Sequence, residues 1–258
     1  MTARALSVLL EGLIDYAGLF PPAKLPMEEA IRNYERYRES GRSWALGKFV
    51  VPATLTAEVP ANIPLSVIAE VDAIPPRFRV LEMKASTEAE IARIAEQTEG
   101  RTVYVEVSDV GLIDAISQYE LRAKIRTGGL TTDAFPTASA IANFMRTCRD
   151  YSVPFKATAG LHHPLRCIRP LTYEPDAPHG TMHGFVNVFL AAAMLKHAEE
   201  ILMDDDPRNF TFDDEGAGWR GRRVSVHDLA AVRRTFATSF GSCSFEEPIA
   251  DLEELGWL

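Results

Sequence analysis

Cysteine is scarce in this chain. There are three, Cys148, Cys167 and Cys243, an odd number with no C-x-x-C spacing. A disulfide framework and a paired-cysteine zinc site are therefore excluded as the basis of the fold. Long apolar runs are missing as well. The longest, Gly184–Leu195, is interrupted by Asn187 and falls short of the ~20 residues that a spanning helix needs. The first stretch, Met1–Glu11, lacks the apolar core and small-residue cleavage site of a signal peptide; Leu6, Leu9, Leu10 and Leu13 fall instead at helical spacing. Basic charge is also short, with 27 Lys and Arg against 36 Asp and Glu, a net charge of −9. Nucleic-acid binding needs a basic footprint and is not expected, whereas a local basic pocket for a small anion can sit inside an acidic protein. These absences predict a cytoplasmic protein with neither membrane nor nucleic-acid partners, and they leave homo-oligomerisation open. No repeat, low-complexity tract or linker divides residues 1–258, which read as one domain.

What is present is an alternation of short β-type and longer helix-type runs. Strands are expected at Ile14–Phe20, Lys48–Pro52, Leu65–Val71, Val80–Ala85, Thr102–Val107, Ala123–Thr127, Pro154–Thr158 and Asn209–Asp213. Helical patterns fall at Met27–Ser40, Thr87–Glu99, Gly111–Tyr119, Thr137–Tyr151, Phe185–Leu202 and His227–Phe240, and Thr87 with Glu90 reads as a capping box. The Pro-rich links after the second and third strands leave room for a turn rather than a helix. Eight alternations in a chain of this length predict a single α/β domain, a (β/α)₈ TIM barrel with a C-terminal tail docking on it. An open doubly wound sheet is the competing arrangement. Leu165–His183 is the one long irregular stretch, placed after the seventh strand where a barrel keeps its active-site loops.

Strands four to seven carry charge between apolar residues: Glu82 and Lys84, Glu106, Lys124 and Arg126, and Lys156. Side chains alternate along a strand. In a barrel the outer face packs against helices, so these charges are expected inside, near the strands' carboxyl ends. An antiparallel half-solvated sheet would show the same alternation, but the intervening helices argue against it. Lysines crowded by other cations favour the free amine, a nucleophile or base. Strand six runs into Thr127-Gly128-Gly129, and strand seven runs from Thr158 through Gly160 to His162 and His163. Small residues there let backbone approach a ligand. Asp15 and Tyr16 are further contributors from the first strand. Cys243 has no histidine–acid partner by spacing, which gives no sequence support to a thiol nucleophile.

The stretch Val103–Gly160 resembles the class I aldolases of the deoxyribose-phosphate aldolase type. Lys124 to Gly128 resembles that family's Lys-Thr-Ser-Thr-Gly run on strand six, and Lys156 to Gly160 its second lysine run on strand seven. Glu106 and Glu82 resemble acidic residues on strands five and four. The resemblance implies a (β/α)₈ lyase without a cofactor or metal, in which Lys124 forms a Schiff base with a small carbonyl substrate. Lys156 beside it would favour the free amine, and Glu106 and Glu82 would move protons. Arg126 replaces a small residue of the family, and His162, His163 and the residues up to Arg166 replace its phosphate loop. The expected substrate is thus a small anionic carbonyl compound held by Arg126, Thr127, Gly128, Gly129, Lys84, Thr158, His162 and His163. Two alternatives stay open. One is a metal-dependent lyase or isomerase with Lys124 as base and a metal on a histidine, Glu106 and one of Asp213, Asp214 and Glu215. The other is a non-catalytic small-molecule-binding barrel.

Overall fold

The computed structural model describes residues 2–258; Met1, the first residue of the amphipathic stretch, lies outside them. The rest of that stretch forms the helix Arg4–Leu10, with Leu6, Leu9 and Leu10 buried. Eight parallel strands then close into a barrel: Ile14–Tyr16, Leu46–Pro52, Leu65–Ile68, Val80–Lys84, Thr102–Glu106, Arg122–Arg126, Phe155–Thr158 and Ala237–Ser242. They are barrel strands one to eight. Closure is direct, since strand one lies between strands eight and two, with Ile14 opposite both Phe240 and Leu46. The fold is a (β/α)₈ barrel.

The eighth strand is not where the sequence places it. Phe210–Phe212 belongs to a separate three-stranded antiparallel sheet with Gly216–Trp219 and Arg222–Ser225. The eighth barrel strand is Ala237–Ser242, part of which the periodic pattern assigns to the preceding helix. That helix ends at Thr235. Its apolar rhythm continues into Phe236 and Phe240, while Ser239, Gly241 and Ser242 are weak strand formers, so pattern and propensity both mask the change.

The outward residues of the strands are the expected ones. Val103 and Val105, fully or nearly buried, face the same core as Ile91, Ile94, Ile113 and Ile116 from the flanking helices. The helix Glu88–Gln97 begins at the predicted cap, with the Glu90 amide donating to Thr87 Oγ1 at 3.2 Å and the Ser86 amide to Glu90 Oε2 at 2.6 Å. The Pro-rich link after strand two holds only the 3₁₀ turn Ala53–Glu58, and no helix follows strand three. Phe185–Leu202 is not one helix but two, Phe185–Ala193 and Ala198–Met203. Asn187 Nδ2 donates to the Ile201 and Asp204 carbonyls at 2.5 and 2.7 Å. A continuous helix would hold those groups ~20 Å apart, so the second piece must turn back. Leu165–His183 is also more regular than expected, containing the hairpin Cys167–Pro170 with His179–Met182. After strand eight the helix Glu246–Glu254 lies on the barrel, fastened by Arg42–Glu253 and by Tyr37 against Phe245. Among the described residues, no helix is long and apolar enough to cross a membrane.

Candidate active site

Strand register builds the site. Lys84, Glu106, Lys124 and Lys156 stand opposite one another on strands four to seven, and side chains at matched positions of neighbouring strands point to the same side. The row therefore crosses the barrel interior, as the alternation predicts. Glu82 reaches up from one layer below, and Asp15 reaches across from strand one.

The result is a chain of alternating charge. Lys156 Nζ donates to Asp15 Oδ2 at 2.8 Å and to Glu82 Oε1 at 2.5 Å. Glu82 Oε2 lies 2.9 Å from Lys124 Nζ, and Lys124 Nζ lies 3.0 Å from Glu106 Oε2. Arg126 Nε then donates to Glu106 Oε1 at 3.2 Å, and Lys84 stands 3.7 Å from the same oxygen. Ser239 and Ser66 donate to Asp15 and Glu82, and the Lys48 amide caps the other Asp15 oxygen at 2.7 Å. Burial by itself would raise the Glu82 carboxyl, but the ammoniums of Lys124 and Lys156 outweigh it and hold the group well below the usual carboxylate range. Glu106 follows the same rule: burial opposes, and Lys124 and Arg126 keep it ionised. For Lys156 burial would favour the neutral amine, yet Asp15 and Glu82 overcome it and keep the proton on.

This revises one expectation. A row with an excess of cations would make Lys156 a bare positive charge beside Lys124. Asp15 adds the missing anion, and two carboxylates neutralise Lys156 from both sides. The fully buried Lys156 is a fixed counter-ion for Glu82, not a repelling neighbour of Lys124. The sequence points to Asp15 as a contributor but not to its partner, because strand one is separated from strand seven only by strand eight, whose position the pattern hides.

A cavity of about 300 Å³ opens at the carboxyl ends of the strands. Its lining includes Lys124, Glu82, Arg126, Gly129, Thr158, Gly160 and His162, with Phe20, Pro21 and Pro22 on the opposite wall. Lys156 is fully buried and does not line it, and Lys84, its side chain 69% exposed, lines a neighbouring cleft. The remaining predicted contacts fall elsewhere. Thr127 is buried and spends its hydroxyl on the Thr158 and Ala159 carbonyls at 3.2 and 2.6 Å. Gly128 packs against Gly160 and Phe135, where a Cβ would sit within 2.8 Å of backbone. It joins two loops and does not line the cavity. Glu106 lines a neighbouring cleft and meets the cavity only through Lys124 and Arg126. His163 turns away to Asp251, 2.6 Å from Nδ1, as adjacent residues in extended chain must diverge. Cys243 lines the cavity although its sequence context gave no reason to expect it. Asp213, Asp214 and Glu215 sit in the separate sheet region beside strand Gly216–Trp219. Among the described residues no three His, Cys, Asp or Glu side chains are grouped to share a metal ion.

No family model and no curated protein matches the sequence. Solved structures give distant likenesses. FabK (M276A) from Thermotoga maritima aligns over 99% of this chain and 98% of its own with 11% identity and a TM-score of 0.44. Lysine/ornithine decarboxylase from Vibrio vulnificus aligns at 15% identity and a TM-score of 0.39, covering 60% of this chain. This chain spans 48% of that decarboxylase, about half its length. The arginine decarboxylase of Paramecium bursaria Chlorella virus aligns at 12% identity and a TM-score of 0.33 over 91% of this chain and 59% of its own. At these scores and identities the likenesses carry no information about chemistry.

Proposed function

We propose that this barrel is an enzyme of the lyase class in which Lys124 forms a Schiff base with a small anionic carbonyl compound and makes or breaks a carbon–carbon bond. The observation that carries the reading is the position of the Lys124 amine. It is the lysine that reaches the cavity, and it stands 2.9 and 3.0 Å from two carboxylates. A buried lysine held only for packing would be shut away, as Lys156 is.

In this scheme the Lys124 amine adds to the carbonyl carbon, water leaves, and the iminium accepts the electron pair of the breaking bond. Protons must move on and off the amine and the departing oxygen. Glu82 lines the cavity beside the Lys124 amine, and Glu106, its side chain 11% exposed against 2%, links that amine to the neighbouring cleft, through which protons can exchange with solvent. Glu82 holds Lys124 and Lys156 at a fixed separation. Arg126, half exposed at the rim, offers a planar fork to a substrate carboxylate. His162 and Thr158 close the other side.

The test is borohydride reduction in the presence of a panel of small aldehydes and keto acids. Peptide mapping should find the substrate's mass on Lys124, and Lys124→Gln should abolish it. Turnover that leaves Lys124 unlabelled and stops on chelation would transfer the chemistry to a metal.

A further inference from the structure

The cavity has a second chemically distinct wall. Cys243 follows strand eight, His162 follows strand seven, Glu247 lies in the first turn of the helix Glu246–Glu254, and Tyr173 comes from the hairpin connection. These separate segments meet at one point. His162 Nδ1 is 3.9 Å from Cys243 Sγ and 3.1 Å from Glu247 Oε2. The Tyr173 hydroxyl is 3.8 Å from the same sulfur and 3.5 Å from the same carboxylate oxygen. Cys243 and His162 are both buried, and both line the cavity that Lys124 enters.

We propose that Cys243, His162 and Glu247 form a covalent capture site for aldehydes on the wall of this cavity. The step balances without an oxidant. In the reactive form the proton of the pair sits on His162 as an imidazolium between the sulfur and Glu247; the thiolate forms a bond to the carbonyl carbon as the C=O π bond breaks, and the new oxyanion takes that proton from the imidazolium. The product is a neutral thiohemiacetal, and release is the reverse. Glu247 faces the imidazole and stabilises its protonated form, and the Tyr173 hydroxyl donates to that carboxylate while lying against the sulfur. A thiol beside an imidazolium is the environment in which cysteine acts as a nucleophile. Cys243 and Lys124 line the same cavity of about 300 Å³, so an aldehyde bound at sulfur competes with amine chemistry for that space. The site requires no activity at Lys124.

The other two cysteines serve as internal controls. Cys148 is fully buried in the helix Ala138–Asp150. Cys167 is half-buried outside the cavity, with its thiol pushed up to about 11 by burial. Treating the folded protein with iodoacetamide at neutral pH, followed by peptide mapping, should label Cys243 at least tenfold faster than Cys167. His162→Gln and Glu247→Gln, each checked for folding by circular dichroism, should slow that labelling at least fivefold. Millimolar glycolaldehyde labelled with ¹³C at its carbonyl should protect Cys243 reversibly. Its NMR spectrum should show a protein-bound sp³ carbon that disappears in Cys243→Ser and persists in Lys124→Gln. Labelling no faster than at Cys167, or a carbon signal that survives in Cys243→Ser, overturns the proposal. Failure of the Schiff-base reading shows itself separately, as absence of borohydride trapping at Lys124.

Discussion

Asp15 changes what its neighbours can be. With it, Lys156 has two carboxylate partners, and removing the ammonium would leave Asp15 and Glu82 buried with one counter-charge fewer. Breaking a buried pair from one side costs about 3–5 kcal/mol. Lys156→Met, of similar volume, should lower the unfolding free energy from urea titration by that amount at neutral pH, and an unchanged value would show that the interior tolerates the lost counter-charge. His162 gives a prediction with a definite pH sign. Burial would lower its pKa, but the hydrogen bonds it donates to Cys243 and Glu247 prevail and lift it from 6.5 to about 10. Tyr173 and His163 are the other titratable groups facing it. A raised folded-state pKa contributes stability in full below the unfolded value, and that contribution fades as pH rises through the folded one. The stability gap between wild type and His162→Gln should therefore be widest near pH 6 and close between pH 7 and 10. A gap independent of pH would mean that the imidazole bonds as a neutral group.

Elements were legible where pattern and propensity agreed. Strands four to seven and their charged interior follow from alternation alone, and Thr87 with Glu90 marked a helix start that the hydrogen bonds bear out. The failures have a common cause. Strand eight carries Ser239, Gly241 and Ser242, which are weak strand formers, so it gives little strand signal. Phe185–Leu202 keeps helical periodicity across a break that is held by one side chain, Asn187. The thiol cluster was invisible because its members come from separate segments. The hairpin Cys167–Pro170 with His179–Met182 was read as irregular, and it borders the mouth without lining the cavity. It reaches the site through Tyr173, while His183 anchors its end to the Pro136 carbonyl at 2.7 Å. Replacing Leu171–Pro178 by a two-residue turn should leave the barrel folded, at a cost of about 2 kcal/mol for the lost burial of Leu171. Borohydride trapping of the carbonyl substrate at Lys124 should weaken. If the shortened protein does not fold, the hairpin is part of the scaffold and not of the site.

At the scale of the whole molecule, a closed barrel depends on the one seam that joins its ends. Here the seam is strand one against strand eight, bridged by the Phe240 amide to the Leu13 carbonyl and the Ala17 amide to the Ser242 carbonyl at 2.9 and 2.6 Å. Strand one is short and the interior beside it holds Asp15, so the seam cannot draw on an apolar interior layer as barrels usually do. Arg233 supplies the missing closure. From the helix Val226–Thr235 its guanidinium donates to the carbonyls of Leu9 and Glu11 before strand one, at 2.8 and 3.0 Å, and to those of Ala237 and Thr238 at the start of strand eight. Only a planar group with donors spread around it can serve both ends of the chain at once. Arg233→Lys keeps the charge but cannot span these carbonyls, so it should cost nearly as much as Arg233→Met. Losing charge-assisted bonds and leaving buried acceptors unpaired costs at least about 3 kcal/mol. Hydrogen exchange discriminates the mechanism from general destabilisation. In Arg233→Lys the amides of strands one and eight should exchange by opening of the seam, ahead of those of strands four to six. Uniform acceleration across all eight strands, or a lysine variant as stable as wild type, would remove Arg233 from this role.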